Sequence, residues 1–116
     1  MKDFLRSLCF ALQGLGKLIK TQKNARIHLV FAVGVCLLGI WFKVSRLEWI
    51  LLVISIGTVL TAECLNTALE KMVDFVSPHW NDQAGQIKDL GAAAVLLAAC
   101  TAAIAGGLVF ISKLWP

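Results

Sequence analysis

Between Leu90 and Ser112 the chain runs without a single charged side chain. As a helix rising about 1.5 Å per residue, that stretch reaches across a hydrocarbon layer about 30 Å thick. Two further uncharged runs, Leu29 to Phe42 and Ile50 to Ala62, precede it. In water such surfaces would need a far larger body to bury them. Composition agrees: 59% of the 116 residues are hydrophobic and 16% charged, against about 25% charged in an average soluble domain. The spacing predicts an all-α integral membrane protein with three spans over about 25–43, 47–77 and 84–113, forming one membrane domain over 1–116.

The segment ahead of the first span differs. Leu5, Leu8, Leu12, Leu15 and Ile19 step by three and four, while Lys2, Arg6, Gln13, Lys17 and Lys20 fall on another side. This is the pattern of an amphipathic surface helix, over about residues 3–22, rather than a leader with an uninterrupted apolar core. The net charge of +4 arises largely from Lys2, Arg6, Lys17, Lys20, Lys23 and Arg26. Their clustering before the first span reads as membrane topology and anionic-lipid contact, not as a nucleic-acid surface. It places the N-terminus and the loop carrying Lys88 on the cytoplasmic side, and the Lys43 turn outside. Cys9, Cys36, Cys64 and Cys100 form no CxxC pair and read as packing residues.

The second span carries the chemistry. With Glu63 at zero and about 100° per residue, Asn66 falls near 300°, Glu70 near 340° and Asp74 near 20°. Three carboxylates and an amide thus share one face. Each charge at membrane depth costs at least a few kcal/mol, so such groups are paired, hydrated or bound to a cation, and mark function. Lys71 lies on the same helix and could neutralise one acid, leaving the others in need of partners. A hard cation such as Mg²⁺ suits them, commonly shared with phosphate oxygens. Lys88 and Asp89 stand at the same boundary, where a lysine binds phosphates. The chain has no GxxxxGK phosphate loop, so any nucleotide must be held by the helix bundle.

The stretch Glu63-Cys-Leu-Asn-Thr-Ala-Leu-Glu-Lys-Met-Val-Asp74, followed by Lys88-Asp-Leu-Gly-Ala-Ala-Ala-Val95, resembles the prokaryotic diacylglycerol kinase family, which includes undecaprenol kinases. The surface helix and three spans extend the resemblance over the rest of the chain. It implies a homotrimer in the bacterial inner membrane that moves the γ-phosphoryl group of MgATP to a lipid hydroxyl at sites between subunits. By the same resemblance Glu63 is the general base, Asn66 positions the hydroxyl or phosphates, Glu70 holds Mg²⁺, and Asp74, Lys88 and Asp89 bind the nucleotide. These roles suit phosphoryl transfer, which needs positioning and charge neutralisation more than covalent chemistry.

One departure stands out. The family's surface helix ends in a segment like T-E-x-N-x-R-x-H with a second metal-binding glutamate, whereas Thr21-Gln-Lys-Asn-Ala-Arg-Ile-His28 carries Gln22. An amide oxygen still ligates a cation, with one negative charge fewer. The segments Phe42 to Trp49 and Asn24 to His28 look more like the undecaprenol-kinase branch, which favours a polyprenol acceptor, with diacylglycerol as the alternative. His28 reads first as a capped interfacial residue, with contact to phosphate or substrate as the alternative, and His79 as a loop residue. Two other classes remain open: a proton-coupled transporter, without an evident inverted repeat, and an inactive interaction protein, for which Gln22 is the best support.

Overall fold

The computed structural model describes residues 1–115, arranged as four helices: α1, Lys2–Thr21; α2, Lys23–Trp41; α3, Arg46–Val76; and α4, Asp82–Leu114. α2, α3 and α4 are each long and apolar enough to cross a membrane. The all-α arrangement of an N-terminal helix before three candidate spans is therefore observed. α1 lays out its apolar face as the stepping pattern requires. Leu5, Leu8, Leu12, Leu15 and Ile19 are all exposed, and only Leu18 is buried. Within this chain that face meets no protein, the condition of a helix lying in a lipid interface.

α2 starts two residues earlier than the sequence pattern suggests, because a single extended residue, Gln22, separates it from α1. Arg26 fixes this joint. Its Nη1 donates to the carbonyl oxygens of Ile19 at 3.1 Å and Lys20 at 2.9 Å. Those carbonyls belong to the last turn of α1, where no helical N–H remains to satisfy them and where a cation also complements the helix dipole.

The turn between α2 and α3 is equally specified by local hydrogen bonds. Lys43 takes a left-handed conformation with φ 52°. Its N–H donates to Ile40 O and that of Val44 to Gly39 O, the paired closure of a Schellman motif. Val44 is buried behind it. Ser45 then opens α3 with a capping box: its hydroxyl accepts from Glu48 N, and the Glu48 carboxylate accepts from Ser45 N. Glu48 also receives Lys113 Nζ at 2.8 Å, tying the start of α3 to the end of α4. At the other end, Ser77 and Pro78 stop α3, and the Asn81 side chain caps α4 by accepting from Ala84 N.

α3 is the central element and packs against both α2 and α4. Near the Lys43 turn the three meet around Val44, Leu52 and Val109, with the Phe42 and Phe110 rings 6.0 Å apart. Farther along, α2 and α4 leave between them an apolar groove of about 310 Å³ floored by α3. At 31 residues, α3 is roughly 46 Å long and outruns a hydrocarbon layer about 30 Å thick. Its last turns therefore stand clear of the apolar layer.

Close approach of α2 to α3 depends on Gly39, which is buried under the Trp49 indole. A Cβ added there would lie 2.7 Å from the ring. Gly39→Leu is expected to destabilise the fold by about 1–3 kcal/mol, read as a lower unfolding midpoint in detergent titrated with denaturant.

Candidate active site

Along its polar face, α3 passes from burial to exposure. Glu63 is 2% exposed, Asn66 and Glu70 are half-buried, and Asp74 is open. Glu63 lies roughly 26 Å along the axis from Arg46, still inside a hydrocarbon layer that deep, while the next turns emerge from it. One helix thus carries acidic groups from an apolar setting to a polar one.

The four residues and their neighbours on α4 form linked contacts. Asn66 Nδ2 donates to Glu70 Oε1 at 3.3 Å. Lys88 Nζ donates to Asp74 Oδ1 at 2.6 Å, joining α4 to the end of α3. Lys88, not Lys71, is the lysine paired on this face. Asp89 is exposed beside Lys88 and makes no ion pair among the described residues. Asn66 is pressed against α4 at Gly91, where an added Cβ would come within 2.3 Å of its Oδ1 and 2.9 Å of Leu69 Cδ2.

Three buried oxygens on this face have no hydrogen-bond partner: Glu63 Oε2, Asn66 Oδ1 and Thr67 Oγ1. A buried polar atom left unpaired costs on the order of 1–3 kcal/mol. Three within two turns mark a place that receives polar groups from elsewhere. Thr67 was not distinguished by the sequence beyond its place in the motif.

His28, for which the sequence left two readings open, extends from α2 toward Glu63, with Nε2 3.8 Å from Oε2. That separation exceeds hydrogen-bond reach. His28 also lines the apolar groove, together with Ile27, Phe31, Val35, Val59 and Gly106 among others. His28 thus touches the groove and approaches Glu63, which does not itself line it.

Comparison with known proteins agrees. The profile of the family described as Prokaryotic diacylglycerol kinase matches residues 9–110. The undecaprenol kinase of Bacillus subtilis is 32% identical over 114 residues, covering 98% of this chain and 93% of that one. A diacylglycerol kinase of Haemophilus influenzae is 31% identical over 111 residues, 95% and 94% of the two chains. One from Synechocystis is 34% identical over 113 residues, 97% of this chain and 65% of the relative. The chain belongs to the prokaryotic diacylglycerol kinase family. It is a membrane lipid kinase that uses ATP, a transferase.

Membership gives the oxygen-rich face its chemical context. Its donors, three carboxylates and an amide oxygen, suit a hard cation. Among the described residues, however, no group of three or more His, Cys, Asp or Glu stands close enough to hold a metal ion. Gln22 is half-buried at the α1–α2 joint and its side chain makes no capping bond, so its amide is free for other partners. The cysteines depart from their reading as packing residues: Cys9, Cys64 and Cys100 are exposed and Cys36 is half-buried, all as free thiols.

Gly91 provides a test of this arrangement in the kinase. Gly91→Val would occupy the space of the Asn66 amide, whose end can swing away at little structural cost. Phosphoryl transfer is expected to fall by about 10- to 100-fold, with a thermal midpoint in detergent close to that of the wild type.

Proposed function

We propose that this kinase phosphorylates a polyprenol, most simply undecaprenol, with Glu63 as the general base. The observation carrying the reading is the buried, unpartnered Glu63 Oε2, 3.8 Å from His28, which itself lines an apolar groove. A carboxylate in that position can accept the proton of a lipid hydroxyl while the lipid chain remains in an apolar setting. Among the groove's lining residues only His28 and Ser55 carry polar side chains, and the Ser55 hydroxyl is engaged by Leu51 O at 2.8 Å. A polyprenol has one polar group and asks no more. Diacylglycerol brings two ester groups that would lie among aliphatic walls. The B. subtilis relative named as an undecaprenol kinase supports the same choice.

The remaining roles follow the polarity of α3. Asn66 orients the acceptor or phosphate oxygens. Asp74, Lys88 and Asp89, at the exposed end, bind the nucleotide, with Lys88 drawn to phosphate and Asp74 as its resting partner. Mg²⁺ fits the oxygen donors of Glu70 and the Gln22 amide, and when bound it would neutralise charge on the transferred phosphoryl group. With so few ligands in one chain, donors from a second copy would complete the set, as in a homotrimer with shared sites. Small residues Gly57, Thr58 and Thr61 on an exposed face of α3 favour close packing between copies. The basic N-terminal arm lies at the same end as the site, which supports a cytoplasmic N-terminus and active site in the bacterial inner membrane. The whole chain acts as one catalytic domain.

Transfer of labelled γ-phosphate from ATP, measured in detergent with Mg²⁺ and with undecaprenol or diacylglycerol as acceptor, tests this. Product is expected from undecaprenol in preference, and Glu63→Gln is expected to lower it by about 10²- to 10⁴-fold. Faster transfer to diacylglycerol would overturn the choice of acceptor. Gln22→Glu is expected to lower the Mg²⁺ concentration needed for half-maximal rate, since it restores a negative charge to the donor set.

A further inference from the structure

His28 has no assigned part in the chemistry, yet its position is that of a group touching the acceptor. Its Nε2 stands 3.8 Å from Glu63 Oε2, and that oxygen has no hydrogen-bond partner. The two atoms are too far apart to satisfy one another. Oε2 is closed off as packed, and a small turn of the Glu63 side chain would admit an oxygen about 2.8 Å from each atom, closing the gap with two hydrogen bonds of ordinary length. A hydroxyl meets both needs, donating its hydrogen to the carboxylate and accepting from the imidazole N–H. His28 also lines the apolar groove between α2 and α4, so a hydroxyl held there can trail a hydrocarbon chain along it.

Resting on the lipid-kinase reading above, we propose that His28 is an acceptor-binding residue. With Glu63 it cradles the hydroxyl of a long-chain alcohol whose chain occupies the groove walled by Phe31, Val59 and Gly106. His28 Nε2–H donates to the hydroxyl oxygen. As that oxygen forms its bond to the γ-phosphorus, Glu63 takes the hydroxyl proton. The bond from the γ-phosphorus to the β,γ-bridging oxygen breaks, and ADP leaves with the electron pair. His28 gains and loses no proton.

Gly106 offers an independent handle on the same alcohol. It lines the groove, and a Cβ added there meets nothing within 4 Å. Gly106→Leu would therefore narrow the groove without a clash in α4. A second copy's helix filling the groove is the rival occupant, and it predicts that this substitution alters assembly and leaves lipid kinetics alone.

The experiment is steady-state transfer by the full-length protein in detergent, varying undecaprenol and ATP separately for wild type, His28→Leu, His28→Gln and Gly106→Leu. His28→Leu is expected to lower kcat/KM for undecaprenol by about 10- to 100-fold while the KM for ATP stays within about twofold. His28→Gln, whose amide N–H can donate to the same oxygen, should recover most of the loss, and Gly106→Leu should raise the KM for undecaprenol but not for ATP. A merely structural His28 would move both substrates together and would not be rescued by Gln. Unchanged lipid kinetics in His28→Leu, equal losses for both substrates, or no effect of Gly106→Leu on undecaprenol would each overturn the proposal. Should His28→Leu not fold, His28→Gln and Gly106→Leu decide the matter. A wild type that transfers to no lipid would instead sink the proposed function itself.

Discussion

A carboxylate at hydrocarbon depth is tolerated only where protein, water or a partner charge replaces the solvation it has lost, and Glu63 sets that requirement for this bundle. It is 2% exposed, yet one of its oxygens has no hydrogen-bond partner. Packing has removed it from lipid without fully satisfying it. The arrangement of the helices follows from this. α3 carries the acid and must lie centrally, α4 covers the same face at Gly91, and α2 brings His28 alongside. The short α1–α2 joint, held by Arg26 on the last carbonyls of α1, fixes where α2 starts and so the level of His28.

Charge along α3 is compensated unevenly. Asp74 has Lys88 at 2.6 Å, and Glu63 has His28 at 3.8 Å, a partner in charge only when the imidazole is protonated. Glu70 has only the Asn66 amide at 3.3 Å. Glu63 and Glu70 are therefore the acids whose charge is left least compensated. The exposed pair of Asp74 and Lys88 adds little stability in water and is easily opened.

The three spans, the surface helix and the shared face of Glu63, Asn66, Glu70 and Asp74 were legible in the sequence because each rests on periodicity along one helix. Helix boundaries were less so, because Gln22, Lys43 and Asn81 act through capping geometry that hydropathy does not report. His28 stayed between two readings for a different reason. Its partner is thirty-five positions away on another helix, and a lone histidine near a membrane boundary reads the same whether it faces water or an acid. Gly91 was visible as a motif letter, but its reason, the room it leaves for Asn66, exists only once α3 and α4 are packed. The groove likewise has no linear signature, since its walls come from α2, α3 and α4. The exposed cysteines show the converse error, in which apolar character within a span was taken for core packing. In lipid an apolar residue can face outward at no cost.

The same geometry explains how one helix can serve two solvents. A lipid alcohol must be deprotonated without leaving its apolar surroundings, while ATP must be held without leaving water. α3 suits both conditions because its length exceeds that of a hydrocarbon layer and because it runs from the buried Glu63 to the open Asp74. Between them, within two turns, are the partly buried Asn66 and Glu70, where an alcohol oxygen and a terminal phosphate could meet.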